Sequence, residues 1–236
     1  MKNRLIIRKT HRYLGIFLGI QFLLWTVSGL YFSWSNLDRI HGDHFKNLNH
    51  QPTAFFDLNP LKELRIKEGI HSLELREIGG QPFYWINENR LFNARTGEEK
   101  RIITKEEALD IAYHYMDANL IVKDIHLLEE VNKYHEYRDL PLPVYVISYQ
   151  HPAKVKAYIS AKDGAFQRVR HESWRWFDFL WMTHTMDYES RDNINSILLR
   201  VFSLLGLITV VSGFLLWAIT SKTLKRILKS TRKYHD

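Results

Sequence analysis

Cysteine is missing from the sequence altogether. That excludes disulfides, so a domain of this length must be held by its core alone. It also removes thiolate metal sites, iron-sulfur clusters and thiol redox catalysis. Nothing resembles a Ser-His-Asp triad or an H-E-x-x-H helix, and no nucleotide loop appears near either end. Histidine is what remains for metal or redox chemistry. Charge is scarce in two places: Tyr13 to Trp34 has none, and Ser196 to Thr220 has only Arg200.

About 20 predominantly apolar residues are needed to cross the hydrocarbon core of a bilayer, and both stretches supply them. A cleavable signal peptide is the alternative for the first, but its apolar run is long and the next alanine is Ala54, so it reads as an uncleaved anchor. Lys2, Arg4, Arg8, Lys9 and Arg12 precede the first stretch; Lys222, Lys225, Arg226, Lys229, Arg232 and Lys233 follow the second. The lysine and arginine bias places both termini in the cytoplasm and the region from about Asn36 to Asn195 outside. Much of the formal charge of +7 sits in these tails, where it reads as topology and lipid contact and not as nucleic-acid binding. The expected division is a basic tail over 1–12, a membrane helix over 13–35, an exported domain over 36–172, an interfacial aromatic segment over 173–195, a second membrane helix over 196–220 and a basic tail over 221–236.

A histidine stands near the mouth of each apolar stretch, which points to haem and electron transfer. His11, Gly15 and Gly19 follow at intervals of four and share one helix face; glycines beside a histidine let a flat macrocycle approach the backbone. The alternative is a small-xxx-small helix contact with an interfacial histidine. His184 ends an aromatic run in which Trp176, Leu180 and His184 share a helical face, as in an interfacial belt. His41-Gly42-Asp43-His44, with His50 following, could hold a metal through His41 and His44, supply a haem ligand at the outer face, or form a solvated exit loop. Arg200 snorkels to the outer surface or pairs with a haem propionate. His114, His126, His135, His151 and His171 read as surface residues of the exported domain.

Within that domain, Thr104 and Glu107 form a T-x-x-E capping box, and Ala108, Ile111, Ala112 and Tyr115 recur at helical spacing. Ile125 to Val131, Val144 to Tyr149 and Val155 to Ile159 are strand-like, and Asp163-Gly164 supplies a turn. A weaker copy precedes it: a helix over Pro60 to Gly69, strands over Ser72 to Ile78 and Phe83 to Ile86, and a turn at Thr96-Gly97. The pattern predicts an internal duplication.

The stretch from Thr104-Lys105-Glu106-Glu107-Ala108-Leu109 to Asp163-Gly164 resembles a PepSY domain. His11-Arg12-Tyr13-Leu14-Gly15, Val27-Ser28-Gly29 and Val211-Ser212-Gly213, followed by Trp217, resemble the membrane helices of the PepSY-associated transmembrane family. The resemblance implies a membrane α+β fold with two transmembrane helices flanking an exported, duplicated PepSY-like domain. It further implies a b-type haem protein that reduces ferric iron or ferric siderophores in the periplasm and assists iron uptake. Members commonly carry four membrane helices, so a homodimer of this two-helix chain would restore the four. The cofactor-binding candidates are then His11, His184, Gly15, Gly19 and Arg200, with His11 and His184 on haem iron. The partners are a ferric ion or chelate, membrane lipid and a separate cytoplasmic or membrane electron donor. The competing reading is a non-enzymatic membrane-tethered PepSY module that binds or inhibits an exported protease or assists assembly of a respiratory complex; such a module needs neither His11 nor His184.

Overall fold

The computed structural model describes residues 2–49, 51, 53–64, 66–191 and 193–221; His50 and the basic residues from Lys222 onward lie outside them. The chain begins with α1 (Lys2–Trp34) and a single turn, α2 (Leu37–Ile40). Four strands follow: β1 (Leu73–Ile78), β2 (Gln81–Ile86), β3 (Arg90–Asn93) and β4 (Glu99–Lys100). After α3 (Lys105–Tyr115) come β5 (Val122–Leu128), β6 (Val144–Tyr149), β7 (Lys156–Ser160) and β8 (Phe166–Arg170). The chain closes with α4 (Glu172–Thr185) and α5 (Ile197–Thr220). It divides into a membrane unit, up to Trp34 and from Phe179 onward, and a domain from Ser35 to Asp178.

In the membrane unit, α1 and α5 are each long and apolar enough to span a bilayer. At 33 residues, α1 is about 50 Å long, more than a ~30 Å hydrocarbon core requires. The basic residues expected to form a tail are therefore its first turns. Phe17 stacks on Phe202 at 5.6 Å, Gly206 faces Phe22 and Gly213 faces His11, so the two helices run antiparallel. Between α4 and α5 the buried Asp187 carboxylate accepts from the backbone N–H of Glu189, Ser190 and Asn193 and from the Ser190 hydroxyl. Burial alone would raise this carboxyl, but those donors outweigh it and hold it at about 2.

The domain holds two four-stranded antiparallel meanders, β1-β2-β3-β4 and β5-β6-β7-β8. Alternation in β2 sends Phe83 and Trp85 to one core and Tyr84 and Ile86 to another. The first core is shared with α3, through Ala108, Ile111 and Ala112, and with Ile147, Ala157 and Ile159 of the second sheet. The outer face of the first sheet is covered by Leu58, Leu61, Leu64 and Ile66. On the second sheet, Tyr137 from the 129–143 connection stacks on Tyr158 at 4.7 Å over Val144 and Val146. The capping box of α3 is present, with Thr104 Oγ1 accepting from Glu107 N–H and the Glu107 carboxylate from Thr104 N–H.

Four backbone hydrogen bonds of the first half recur in the second. Asn59 N–H donates to Ala94 O, Ala94 to Pro82, Asn93 to Glu98 and Gly97 to Asn93; correspondingly Ile103 donates to Ala161, Ala161 to Pro143, Ser160 to Ala165 and Gly164 to Ser160. Both turn glycines have positive φ, +75° at Gly97 and +69° at Gly164. The helix expected over Pro60 to Gly69 is a correction: among the described residues only Leu61–Glu63 turns, as a 3-10 helix. Pro60 sits at the place that Thr104 occupies before α3 and offers no side-chain cap, and the segment covers the sheet in extended form instead. β4 and β8 were not foreseen.

Candidate functional site: two histidine–serine pairs

Near the start of α1, His11 Nδ1 lies 2.9 Å from Ser212 Oγ of α5. The serine hydroxyl donates to Thr209 O at 2.7 Å. The next residue, Gly213, clears the ring: a Cβ there would stand 3.2 Å from His11 Cε1. Gly15 and Gly19 share the His11 face, and a Cβ at either would meet nothing within 4 Å, so that flank of α1 is open.

At the other end of α1, residues 21, 25, 28 and 32 form one helical stripe that receives the end of α4. Gln21 Nε2 donates to Thr183 O at 3.3 Å and Trp25 Nε1 to His184 O at 2.8 Å. Ser28 is fully buried, and its Oγ lies 2.7 Å from His184 Nδ1. The Ser28 hydroxyl donates to Leu24 O at 2.7 Å. Phe32 stands edge-on to the imidazole at 5.5 Å and to Trp181 at 5.8 Å, and Trp25 closes the pocket at 6.4 Å. His184 is thus held by two hydrogen bonds, one to its backbone carbonyl and one at its ring, inside an aromatic wall.

The two V-S-G motifs therefore do the same thing twice: each serine touches a histidine from another helix. Among the described residues, no hydrogen-bond partner is recorded for Nε2 of His11 or of His184. A neutral imidazole nitrogen with a free lone pair is a metal ligand. Ser28, or the His184 it holds, follows His11 by about 25 Å of helix axis, so one chain places one imidazole at each of two levels. Arg200 lies in the first turn of α5 with an exposed side chain.

The other histidines are arranged differently. His41 and His44 flank Gly42, whose φ of +81° makes a tight turn against Val169, and both are exposed. Among the described residues, no group of three or more His, Cys, Asp or Glu is placed to hold a metal. His171, expected at the surface, is 2% exposed; its Nε2–H donates to Ile40 O at 3.1 Å, tying α2 to the end of β8. Burial lowers the His171 pKa, and burial followed by the Arg39 charge lowers that of His44, whose ring lies edge-on to His171 at 5.4 Å.

The sequence singled out His11, His184 and both V-S-G motifs, but not that they pair, nor the parts of Trp25 and Phe32. The repeated serine, set in each helix opposite a histidine of another segment, was the available signal.

No curated protein and no solved structure matches the chain. The family model of the PepSY-associated TM region matches residues 1–220, a span that takes in both histidine–serine pairs, both V-S-G motifs and the two-sheet domain between them. With nearly the whole chain accounted for in this way, it belongs to the PepSY-associated transmembrane family.

Proposed function

We propose that this chain binds b-type haem through His11 and His184 and passes electrons across the membrane to ferric iron or a ferric chelate in the periplasm, supporting iron uptake. The observation that carries this reading is the pair of imidazoles at opposite ends of an apolar helix hairpin, each gripped at Nδ1 and with Nε2 unpartnered among the described residues. The residues fit the group: the donor set is right for haem iron, and the open flank at Gly15 and Gly19 leaves room for a flat macrocycle. Haem with two histidine ligands has no open position and supplies one-electron transfer, not oxygen chemistry. His11 and His184 would hold it, while Trp25, Phe32 and Trp181 exclude water around His184.

Among the described residues of the helix hairpin, one chain offers one such histidine at each level, so the second ligand at each would come from a second copy, giving a homodimer with a four-helix membrane core. The basic residues at the start of α1 support a cytoplasmic side for that end; the antiparallel α5 returns to the same side. His11 then faces the cytoplasmic donor, a separate protein, and His184 the periplasmic acceptor. The domain positions that acceptor or the dimer, and its four recurring backbone bonds support an origin by duplication.

The test is a dithionite-reduced minus oxidised spectrum of detergent-purified protein with haem quantified per chain. About one haem per chain is expected, falling to about half in His11→Ala and in His184→Ala. Absence of haem after expression with adequate haem supply sinks the proposal and leaves a membrane-tethered binding module.

A further inference from the structure

We propose that Ser28 and Ser212 act as positioning residues that fix the tautomer of the two membrane histidines, holding each with the proton on Nδ1 and the lone pair on Nε2. A serine hydroxyl has one hydrogen to give and two lone pairs to receive. In Ser28 that hydrogen is committed to the backbone, donating to Leu24 O at 2.7 Å; in Ser212 it is committed to Thr209 O at 2.7 Å. Such bonds from serine to a carbonyl one turn back are a regular habit of helical serines. Each Oγ therefore meets its histidine with lone pairs alone, at 2.7 Å for His184 and 2.9 Å for His11. A contact that short between two lone pairs is repulsive, so Nδ1 must carry a hydrogen and donate it.

The other ring nitrogen is then settled. A neutral imidazole protonated at Nδ1 has its basic lone pair on Nε2, the nitrogen for which no partner is recorded among the described residues. The opposite tautomer would point an N–H at the open side and could not bind a metal. The V-S-G motif is thus a two-part device where it meets His11: the serine sets the proton, and Gly213 leaves the space into which a Cβ would intrude at 3.2 Å. At His184 the same task is shared with Trp25, whose indole N–H pins the histidine's carbonyl at 2.8 Å and so limits rotation of the residue. Outer-shell groups that orient a ligand in this way typically account for about 10–100-fold in metal affinity.

That Nε2 then meets haem iron rests on the reading above; the tautomer does not, and the experiment separates the two. Full-length protein labelled with 15N-histidine, produced without haem and held in lipid bilayers, is observed by nitrogen NMR, with His11→Gln and His184→Gln assigning the two rings. The expected result is a protonated Nδ1 and an unprotonated Nε2 for both. In Ser28→Ala the His184 pattern alone collapses toward the mixture of tautomers found for free imidazole, and in Ser212→Ala the His11 pattern alone does so. A protonated Nε2 in the wild type overturns the inference, and so does an Nδ1–H pattern that survives removal of the matching serine. If the pattern holds while the protein takes up no haem, the tautomer assignment stands and the haem reading falls. If haem is bound with the expected stoichiometry, each serine variant lowers haem affinity about 10–100-fold; unchanged affinity overturns the positioning role.

Discussion

Glu136 illustrates how a single side chain can organise a surface of the domain. Its carboxylate accepts from Lys156 Nζ and Tyr158 Oη on the second sheet and from Arg175 Nε in α4, while its backbone carbonyl accepts from Arg170. Burial on its own would raise this carboxyl; the donations from Arg175, Lys156 and Tyr158 outweigh it and hold the group at about 2, against an ordinary 4.5. A depressed carboxyl stabilises the fold fully above its unfolded value, and that stabilisation is lost as pH falls through the folded one. The window is therefore from about 4.5 down to about 2, and the contribution is on the order of 3 kcal/mol. Urea titration of the full chain in detergent, followed by tryptophan fluorescence, should find Glu136→Gln less stable by roughly that amount at pH 7. The gap should close as pH approaches 2; a gap independent of pH would mean that the loss is steric. None of this was legible in advance, because Glu136, Lys156 and Arg175 are far apart in sequence and charged residues in a connection look solvated. His171 misled for the same reason: it stands between Arg170 and Glu172, yet the strand end buries it.

At the scale of elements, what repeated locally could be read and what depended on a distant partner could not. The capping box at Thr104, the strand-like run of β6 and the apolar length of α1 and α5 all lie within one segment; the box, β6 and α5 appear close to the expected bounds, while α1 takes in the basic residues before its apolar run as well. β4, by contrast, is only two residues and exists because β3 offers it a ladder. The Pro60 to Gly69 segment did not become the expected helix because Leu61, Leu64 and Ile66 are satisfied by a strap over Tyr84, Ile86 and Phe92, a partner distant in sequence. The histidine–serine pairs join residues on different helices, so the motifs were visible while their partnership was not. The packing of α1 on α5 depends on a similar pairing, since a Cβ at Gly206 would come within 3.0 Å of the Phe22 ring. Membrane helices approach through small residues of this kind. Gly206→Leu should overpack that contact at a cost of about 1–3 kcal/mol, seen as a lower thermal midpoint in detergent, while Gly206→Ala should need only a small shift of Phe22 and cost less. Equal midpoints for wild type and Gly206→Leu would show that the helices meet elsewhere.

For the whole molecule the decisive number is how many chains complete a site. His11 and the His184-bearing end of the helix pair are about 25 Å apart along α1, and two copies related by a twofold axis along the membrane normal keep the same orientation. In the homodimer proposed above, like levels would then face like levels, with His11 meeting His11 of the second copy and His184 meeting His184. This arrangement makes an unusual prediction for mixed dimers. A His11→Ala homodimer keeps both His184 ligands and should retain one six-coordinate haem signal, and a His184→Ala homodimer should retain the other. A heterodimer of one His11→Ala chain with one His184→Ala chain has the same total number of histidines as either homodimer, yet each level holds only one of its two ligands. It should lose both six-coordinate signals. The heterodimer can be isolated by placing different affinity tags on the two chains and purifying through both in turn, with the low-spin absorption read against each homodimer. A heterodimer that keeps one full low-spin signal would mean that each haem takes both ligands from a single chain or from unlike histidines, and the level-by-level pairing would have to be abandoned.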